Sequence, residues 1–329
     1  MWVSPADLGL LKSITETKTK LSKKGFDKTR ALPAGSVLVT CIGSTIGKMG
    51  MTTRETSTNQ QINAIVVNKS NNNEFVYYAV QSAFPKYLSS IAVQAVPIIS
   101  KSSFELLPNY RPSIQEQEKI GRLFALLDER IATQSKIIED LKKLKSAISK
   151  KLLDNDRWTT YKIQDIAKIG RGRVISSVEI ERQKHPLYPV YSSQTSNDGI
   201  MGYLDDYMFD GEYITWTTDG ANAGTVFYRK GKFNCTNICG TLKIQPKYDC
   251  YFVSLVLQQA TQKYVSFNLA NPKLMNNIMA SIKIKMPDIE MQKQLSKIFQ
   301  TLDSCLLVHQ RTCDMYSREK QYLLCQMFI

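Results

Sequence analysis

Two stretches of the chain carry the same apolar rhythm. From Ile120, apolar side chains recur at Ile120, Phe124, Leu127, Ile131, Ile138, Leu141, Ile148 and Leu152, with polar Gln134 and Lys145 filling the two gaps. From Leu295 the series is Leu295, Phe299, Leu302, Leu306, Cys313, Tyr316, Leu323 and Met327, and the gaps hold His309 and Lys320. The steps alternate four and three. A helix with that period offers one straight seam to a partner helix, and the pair supercoils left-handedly. Pro112 and Pro287 stand where a helix start accepts a residue without an N–H, and Ser113 and Asp288 follow as early-turn caps. The pattern predicts long helices over 112–153 and 287–329. From Ser113 to Leu153 such a helix measures about 60 Å at ~1.5 Å per residue. The seam residues expected at its contact are Ile120, Phe124, Leu127, Ile131, Leu295, Phe299, Leu302 and Leu306.

The rhythm belongs to a wider internal repeat. "RPSIQEQEKIGRLFALLDERI" begins at Arg111 and "MPDIEMQKQLSKIFQTLDSCL" at Met286. Pro112 pairs with Pro287, an offset of 287 − 112 = 175, and the same offset pairs Gln117 with Gln292 and Phe124 with Phe299. Upstream the offset becomes 220 − 43 = 177, pairing Gly43 and Gly47 with Gly220 and Gly224, and Phe75-Val76 with Phe252-Val253. The β-branched and aromatic flanks "SVLVT" and "YITWTT" predict a strand, a glycine turn and a strand in each copy. The order is therefore a β-rich unit (1–111), a helix (112–153), a second β-rich unit (154–286) and a second helix (287–329). If the second unit is compact, its ends lie close together and the second helix returns along the first. The fold class expected is α+β, with two similar β-rich domains separated by two long antiparallel coiled-coil helices and an internal pseudo-two-fold repeat. Two such units can read two half-sites on a duplex, since DNA repeats about every 34–36 Å.

Composition narrows the partner. Lys and Arg total 43 against 29 Asp and Glu, a net charge of +14, which favours a polyanion such as nucleic acid. "VTCIGSTIGKMG" resembles a phosphate loop only superficially. Gly43 and Gly47 enclose three residues where such a loop has four, Met49 follows Lys48, and the second copy has Thr225 at the lysine position. The seven cysteines are scattered, and the spacing of Cys235 and Cys239 is not that of a zinc knuckle, so no metal site is expected. His309 matches Gln134 across the repeat and reads as a register-fixing seam residue, while His185 falls in a loop. The acidic pair Asp205-Asp206 reads as a solvated turn. "MWVSPADLG" has no charged-then-apolar leader pattern, and no apolar run approaches the ~20 residues of a membrane span, so a cytoplasmic protein without a membrane partner is expected.

These motifs resemble the specificity subunit of type I restriction–modification systems. "LPNYRPSIQEQEKIGRLFALLDERI" is similar to that family's proline-to-helix signature and recurs at Ile284–Leu306. "TDGANAGTVFYRKGKFNCTN", Thr218 to Asn237, is similar to the core of its target-recognition domains, with "LPAGSVLVTCIGSTIGK" and "TNQQINAIV" as the first copy's equivalents. The resemblance implies two target-recognition domains, each reading half of a bipartite double-stranded DNA target. It implies that the helices bind two modification (methyltransferase) subunits and that restriction subunits join them. It implies no cofactor and no catalytic activity on this chain, the methyl donor residing on the modification subunit. In keeping, "NPKL" at Asn271 has Lys273 where an amino-methyltransferase motif has its second proline.

The second unit opens with Trp158–Tyr188 before "YPVYSS", whereas the first begins at "MWVSP", which lines up with "YPVYS". A first domain lacking that opening is expected to leave a strand edge unpaired. Truncation, a misassigned start, or completion by a different polypeptide would each account for it. Base readout needs paired donors and acceptors, and backbone contact needs cations and small hydroxyls. By that criterion the second unit offers Arg171 and Arg173, then Ser193, Gln194, Thr195 and Asn197, then Thr218, Asp219 and Asn222. The first unit offers Lys18, Lys20, Lys23, Lys24 and Lys28, then Ser44, Thr45 and Lys48, then Asn59, Gln60 and Gln61. Two other readings stay open: the detached recognition half of a fused methyltransferase–nuclease, and a coiled-coil scaffold without DNA specificity.

Overall fold

The computed structural model describes residues 1–9, 11–90, 98–153, 155–266 and 271–328; residue 154, where the second domain was expected to begin, lies outside them. The elements run β1 (Trp2–Val3), β2 (Ser13–Ile14), α1 (Lys23–Phe26), β3 (Val37–Thr40), β4 (Met49–Thr52), β5 (Ser57–Thr58), β6 (Ile62–Ile65), α2 (Asn73–Ser90), α3 (Lys101–Glu105) and α4 (Ile114–Leu152). They continue β7 (Thr159–Lys162), α5 (Ile163–Ile166), β8 (Ala167–Arg171), α6 (Ser177–Glu181), β9 (Tyr188–Tyr191), β10 (Ile200–Leu204), β11 (Glu212–Thr217), β12 (Val226–Lys230), β13 (Asn234–Cys235) and β14 (Cys239–Ile244). The last are α7 (Cys250–Ala260), α8 (Asn276–Ser281), β15 (Lys283–Met286) and α9 (Ile289–Met327). Two compact units result, one of Met1–Asp140 with Leu307–Ile329 and one of Leu141–Leu306.

In the second unit the main sheet has the order β12-β11-β14-β8, every pair antiparallel. β11 is buried from Ile214 to Thr217 because α7 packs against the sheet. Trp216 is wholly enclosed, and its indole N–H donates to the Leu274 carbonyl at 2.9 Å, which satisfies the polar end of a large apolar ring. Gly240 on β14 lies under that ring, since any Cβ there would strike it. β7 pairs with β15, and the short helix α5 buries Ile163 and Ile166 completely. A smaller sheet, β10-β9-β13, carries the loops discussed below.

The first unit repeats this plan with one omission. β3, β4 and β6 pair as β11, β12 and β14 do, residue for residue: Val37 faces Ile65 and Ile214 faces Leu242, each 177 apart from its counterpart (242 − 65). The sheet order is β2-β4-β3-β6. Among the described residues β6 pairs with β3 alone, whereas β14 in the second unit pairs with both β11 and β8. β1 pairs parallel with β5 as β9 does with β13, so "MWVSP" takes the place of "YPVYS". Val3 and Val190 are both wholly buried, yet their bridge partners differ by one repeat position: Val3 faces Thr58, whereas Val190 faces Asn234, the counterpart of Ser57.

Each unit is completed by one end of each long helix. In the first, Asp128 meets Lys320 (2.6 Å) and Gln134 meets His309 (2.7 Å), so positions rise along α4 as they fall along α9. In the second, Lys145 pairs with Asp303. The two helices are therefore antiparallel; of the polar gap residues Gln134 and His309 face one another, while Lys145 and Lys320 reach Asp303 and Asp128. Phe124 and Phe299 have no exposed surface, and Ile120, Leu127 and Leu295 are buried; Ile131, Leu302 and Leu306 are half-buried. The helix starts are built alike. The buried Gln117 side chain donates to the Pro112 carbonyl (3.0 Å) and accepts from the Asn72 N–H (3.0 Å), while Gln292 donates to Pro287 (2.8 Å) and accepts from Asp249 (3.0 Å). Asn72 and Asp249 in turn accept from the Phe75 and Phe252 N–H groups at the start of α2 and α7. One amide thus ties the start of each long helix to the start of its domain helix.

Candidate nucleic-acid interface

The glycine turns explain why a phosphate-loop reading fails. In the first unit the Thr40 N–H donates to Lys48 and the Gly47 N–H to Thr40; in the second, Thr217 donates to Thr225 and Gly224 to Thr217. Gly43, Gly47, Gly220 and Gly224 all have φ between 83° and 97°, a conformation open to glycine at little cost. Both turns are the closed ends of hairpins, and the N–H groups of Ile46, Gly47 and Lys48, like those of Ala223, Gly224 and Thr225, donate to backbone carbonyls of the same turn. What the turns do is project the short segments Ser44-Thr45 and Ala221-Asn222 from the sheet end.

In the second unit three segments converge there. The Arg171 guanidinium at the end of β8 donates through Nε to the Asn237 carbonyl (2.6 Å) and through Nη2 to the Thr218 hydroxyl (2.9 Å). The Asn222 amide donates to the Ser193 carbonyl at 3.0 Å, joining the glycine turn to the loop after β9. Asp219 lies 3.6 Å from the Lys273 ammonium. Thr195, Asn197 and Arg171 are exposed, Ser193 half-buried. One expectation is corrected, that for Thr218. Thr218 is wholly buried, its hydroxyl donating to the Ile238 carbonyl (3.0 Å) while it accepts from Arg171, so it has no surface for DNA. Arg173 is exposed but its fork is engaged by Glu179, with Nη1 to Oε2 at 2.9 Å and Nη2 to Oε1, and that hydrogen bond holds the Glu179 carboxyl below its usual range. Gln194 is turned inward, its amide donating to the Ile200 carbonyl. Gln194 and Asn222 thus shape their loops before anything else.

The residue that holds this loop was not among those the sequence singled out. Arg229 on β12 is 3 % exposed. Its Nη1 lies 2.7 Å from the Asp198 carboxylate, its Nη2 donates to the Asp198 carbonyl (2.8 Å), and its guanidinium sits 3.6 Å from the Tyr191 ring centre and 4.4 Å from that of Phe227. Burial pushes the Tyr191 hydroxyl pKa up, against the pull of that cation. Asn197 and Asp198 take positive φ (49° and 53°), and Gly199 follows at 82°. The run Asn-Asp-Gly is the local signal: its residues tolerate the left-handed region. Asp205 is likewise engaged, accepting from the Lys184 and His185 N–H groups (3.3 and 2.9 Å).

In the first unit the groups are less unified. Gln61 donates to the Ile42 carbonyl (3.5 Å) beside the glycine turn and exchanges two hydrogen bonds with Asn59, so Asn59 and Gln61 adjoin Ser44 and Thr45. Gln60 and Lys48 are exposed there. Lys18, Lys20, Lys23, Lys24 and Lys28 are all exposed along the strap from residue 18 to 28; the Lys18 N–H donates to Asp7 and Ser22 caps the short helix α1. Among the described residues no cluster of His, Cys, Asp and Glu could hold a metal, and no helix is long and apolar enough to cross a membrane. Cys235 and Cys239 are buried thiols, raised in pKa by that burial.

Comparison with known proteins places this arrangement. A family model described as the type I restriction modification DNA specificity domain matches residues 2–143 and again 155–313. The chain is 36 % identical over 230 residues to a putative type I specificity subunit, S.MpnORF201P, of Mycoplasma pneumoniae, covering 66 % of this chain and 93 % of that protein. It is 34 % identical over 254 residues to another from the same organism, S.MpnORF365P, covering 74 % and 93 %. In fold it is similar to the crystal structure of the S subunit of a type I restriction–modification system from M. genitalium, with a TM-score of 0.73 at 16 % identity, covering 99 % of this chain and 91 % of that one.

Proposed function

Because the chain belongs to the type I restriction–modification DNA specificity family, matched separately over each of its two halves, we propose that each unit reads one half of a bipartite duplex target. The protein is the DNA-recognition subunit of such a system. The observation that supports the division of labour is the sheet end of the second unit, where three loops are cross-tied by Arg171, Asn222 and Arg229. Base readout needs side chains held on rigid supports, and Ser193, Thr195, Asn197 and the remaining donors of Arg171 are so held. Phosphate contacts need only cations, which Lys18, Lys20, Lys23, Lys24 and Lys28 supply from the first unit. On this reading the second unit carries most of the sequence discrimination, and the first reads its half less selectively while adding affinity through the lysines and through Ser44, Thr45, Lys48, Asn59, Gln60 and Gln61.

The exposed faces of α4 and α9 are the surfaces for two modification subunits, which carry the methyl donor, with restriction subunits joining them in the cytoplasm. The chain itself is non-catalytic in this reading. The test uses the chain purified with and without its modification subunits, binding a methylome-derived target and scrambled DNA. Selective binding that strengthens in the complex, with no methyl transfer by the chain alone, is the expected result. Methyl transfer by the partner-free chain would overturn the reading.

A further inference from the structure

Arg171 carries a guanidinium held in one orientation at the end of β8. Its backbone pairs with Gly240 on β14. The next residue, Gly172, has no room for a side chain, since a Cβ there would strike the Cys235 carbonyl. The Gly172 N–H donates to the Cys239 carbonyl at 3.1 Å and the Arg173 N–H to that of Cys235 at 3.2 Å. The main chain around Arg171 is thus fixed, and so is its fork. Nε donates to the Asn237 carbonyl (2.6 Å) and Nη2 to the Thr218 hydroxyl (2.9 Å). That hydroxyl spends its single proton on the Ile238 carbonyl (3.0 Å), so toward Arg171 it can only accept. Thr218 is itself wholly buried; its N–H donates to Ile238 and its carbonyl accepts from the Leu274 N–H, each at 2.9 Å.

Both of these bonds fall on one edge of the fork, that of Nε and Nη2. Among the described residues no hydrogen bond forms at Nη1, so the Nη1–Nη2 end keeps two parallel N–H groups on an exposed residue. Of the four bases only guanine offers two acceptors, O6 and N7, side by side in the major groove. The surroundings favour a base edge over a phosphate. Arg173 has its fork closed by Glu179, and Asp219, next to Thr218, lies 3.6 Å from the Lys273 ammonium. The cations beside Arg171 are therefore matched by carboxylates, unlike the exposed lysines of the strap from residue 18 to 28. Phosphate contact needs only a cation, whereas pinning a long side chain on buried partners serves a contact that depends on direction. We infer that Arg171 is a specificity-determining residue of the second unit, reading a guanine of its half-site through paired hydrogen bonds from Nη1 and Nη2 to O6 and N7. The inference rests on the proposed role of this unit as a reader of duplex DNA.

The test uses the full chain in complex with its modification subunits. Selection from randomised duplexes gives the base preferences of the wild type and of Arg171→Ala. Competition binding then compares the selected duplex with versions in which each guanine in turn is replaced by 7-deazaguanine, which lacks N7 but still pairs with cytosine and leaves the phosphates unchanged. The wild type is expected to select a guanine at one position of one half-site and to lose about tenfold in affinity, about 1.4 kcal/mol, when that guanine lacks N7. Arg171→Ala should lose the preference at that position, bind the two duplexes equally and keep the preferences of the other half-site. A variant that binds every sequence more weakly yet keeps both the guanine preference and the 7-deazaguanine penalty would overturn the inference and make Arg171 a phosphate contact or a prop for Thr218. A wild type that selects its sequence but is indifferent to N7 at every guanine would overturn it as well. A wild type with no base preference at all would instead overturn the recognition reading beneath it.

Discussion

Replacing Arg229 with methionine separates loop geometry from charge at the second unit's reading surface. Methionine keeps apolar bulk between Tyr191 and Phe227 but removes every hydrogen bond. The Asp198 carboxylate is 68 % exposed, so its ion pair with Arg229 is screened and contributes about 1 kcal/mol or less. The guanidinium hydrogen bond to the Asp198 carbonyl adds about 1.5 kcal/mol, and the two stacked rings about 1–2 kcal/mol. Against this stands the backbone at Asn197 and Asp198, whose positive φ values cost roughly 1 kcal/mol each. The arginine's support, roughly 3–4 kcal/mol, exceeds that strain; without it the loop is left to weaker ties such as the Gln194–Ile200 and Asn222–Ser193 hydrogen bonds. Discrimination between target and scrambled duplex, measured by competition in the complex with modification subunits, should therefore fall about tenfold or more, whereas affinity for scrambled DNA should hardly change. An unchanged discrimination ratio would show that Arg229 does not shape the reading loop. Equal losses on both duplexes would show that it serves as a plain phosphate contact.

Lys20→Ala with Lys24→Ala should weaken every sequence alike and flatten the log–log salt dependence by about one unit per lost contact; a loss confined to the target would contradict the assigned roles. Phe124→Ala should cost about 3–5 kcal/mol of stability in the first unit, and Phe299→Ala as much in the second, because both rings are wholly buried. Urea unfolding with probes in each unit checks this, and an unchanged midpoint for either variant would refute its place in the core. Burial pushes the Cys41 thiol pKa up to about 11 and that of Cys250 to about 12, so at pH 8 both should resist a thiol-specific reagent that modifies the exposed Cys305 and Cys325. Because those folded values lie above the unfolded one, their contribution to stability is complete below pH 9 and declines as pH rises through 11–12. Labelling with mass-spectrometric readout, repeated in urea, distinguishes the two classes.

The sequence alone determined the two long helices, their antiparallel pairing, the glycine hairpins and the duplicated plan. These features rest on period and on local backbone demands: a 3.5-residue apolar repeat has one way to bury its seam, and a turn at positive φ asks for glycine wherever it occurs. Even the polar gap residues were legible, since Gln134 and His309 occupy matching positions and meet at 2.7 Å. Only the tertiary structure decided which polar side chains are free to meet a ligand. Thr218, Gln194 and Asn222 looked like surface donors in the chain, yet Arg171 reaches Thr218 across 47 residues and Asn222 reaches Ser193 across 29. Arg229 looked like one of many cations, yet it is buried beneath a loop 31 residues away. A hydrogen-bonding group carries no local mark of whether its partner will be water, DNA or a distant backbone carbonyl. That is settled when segments far apart in sequence pack together and leave each buried donor an acceptor within reach.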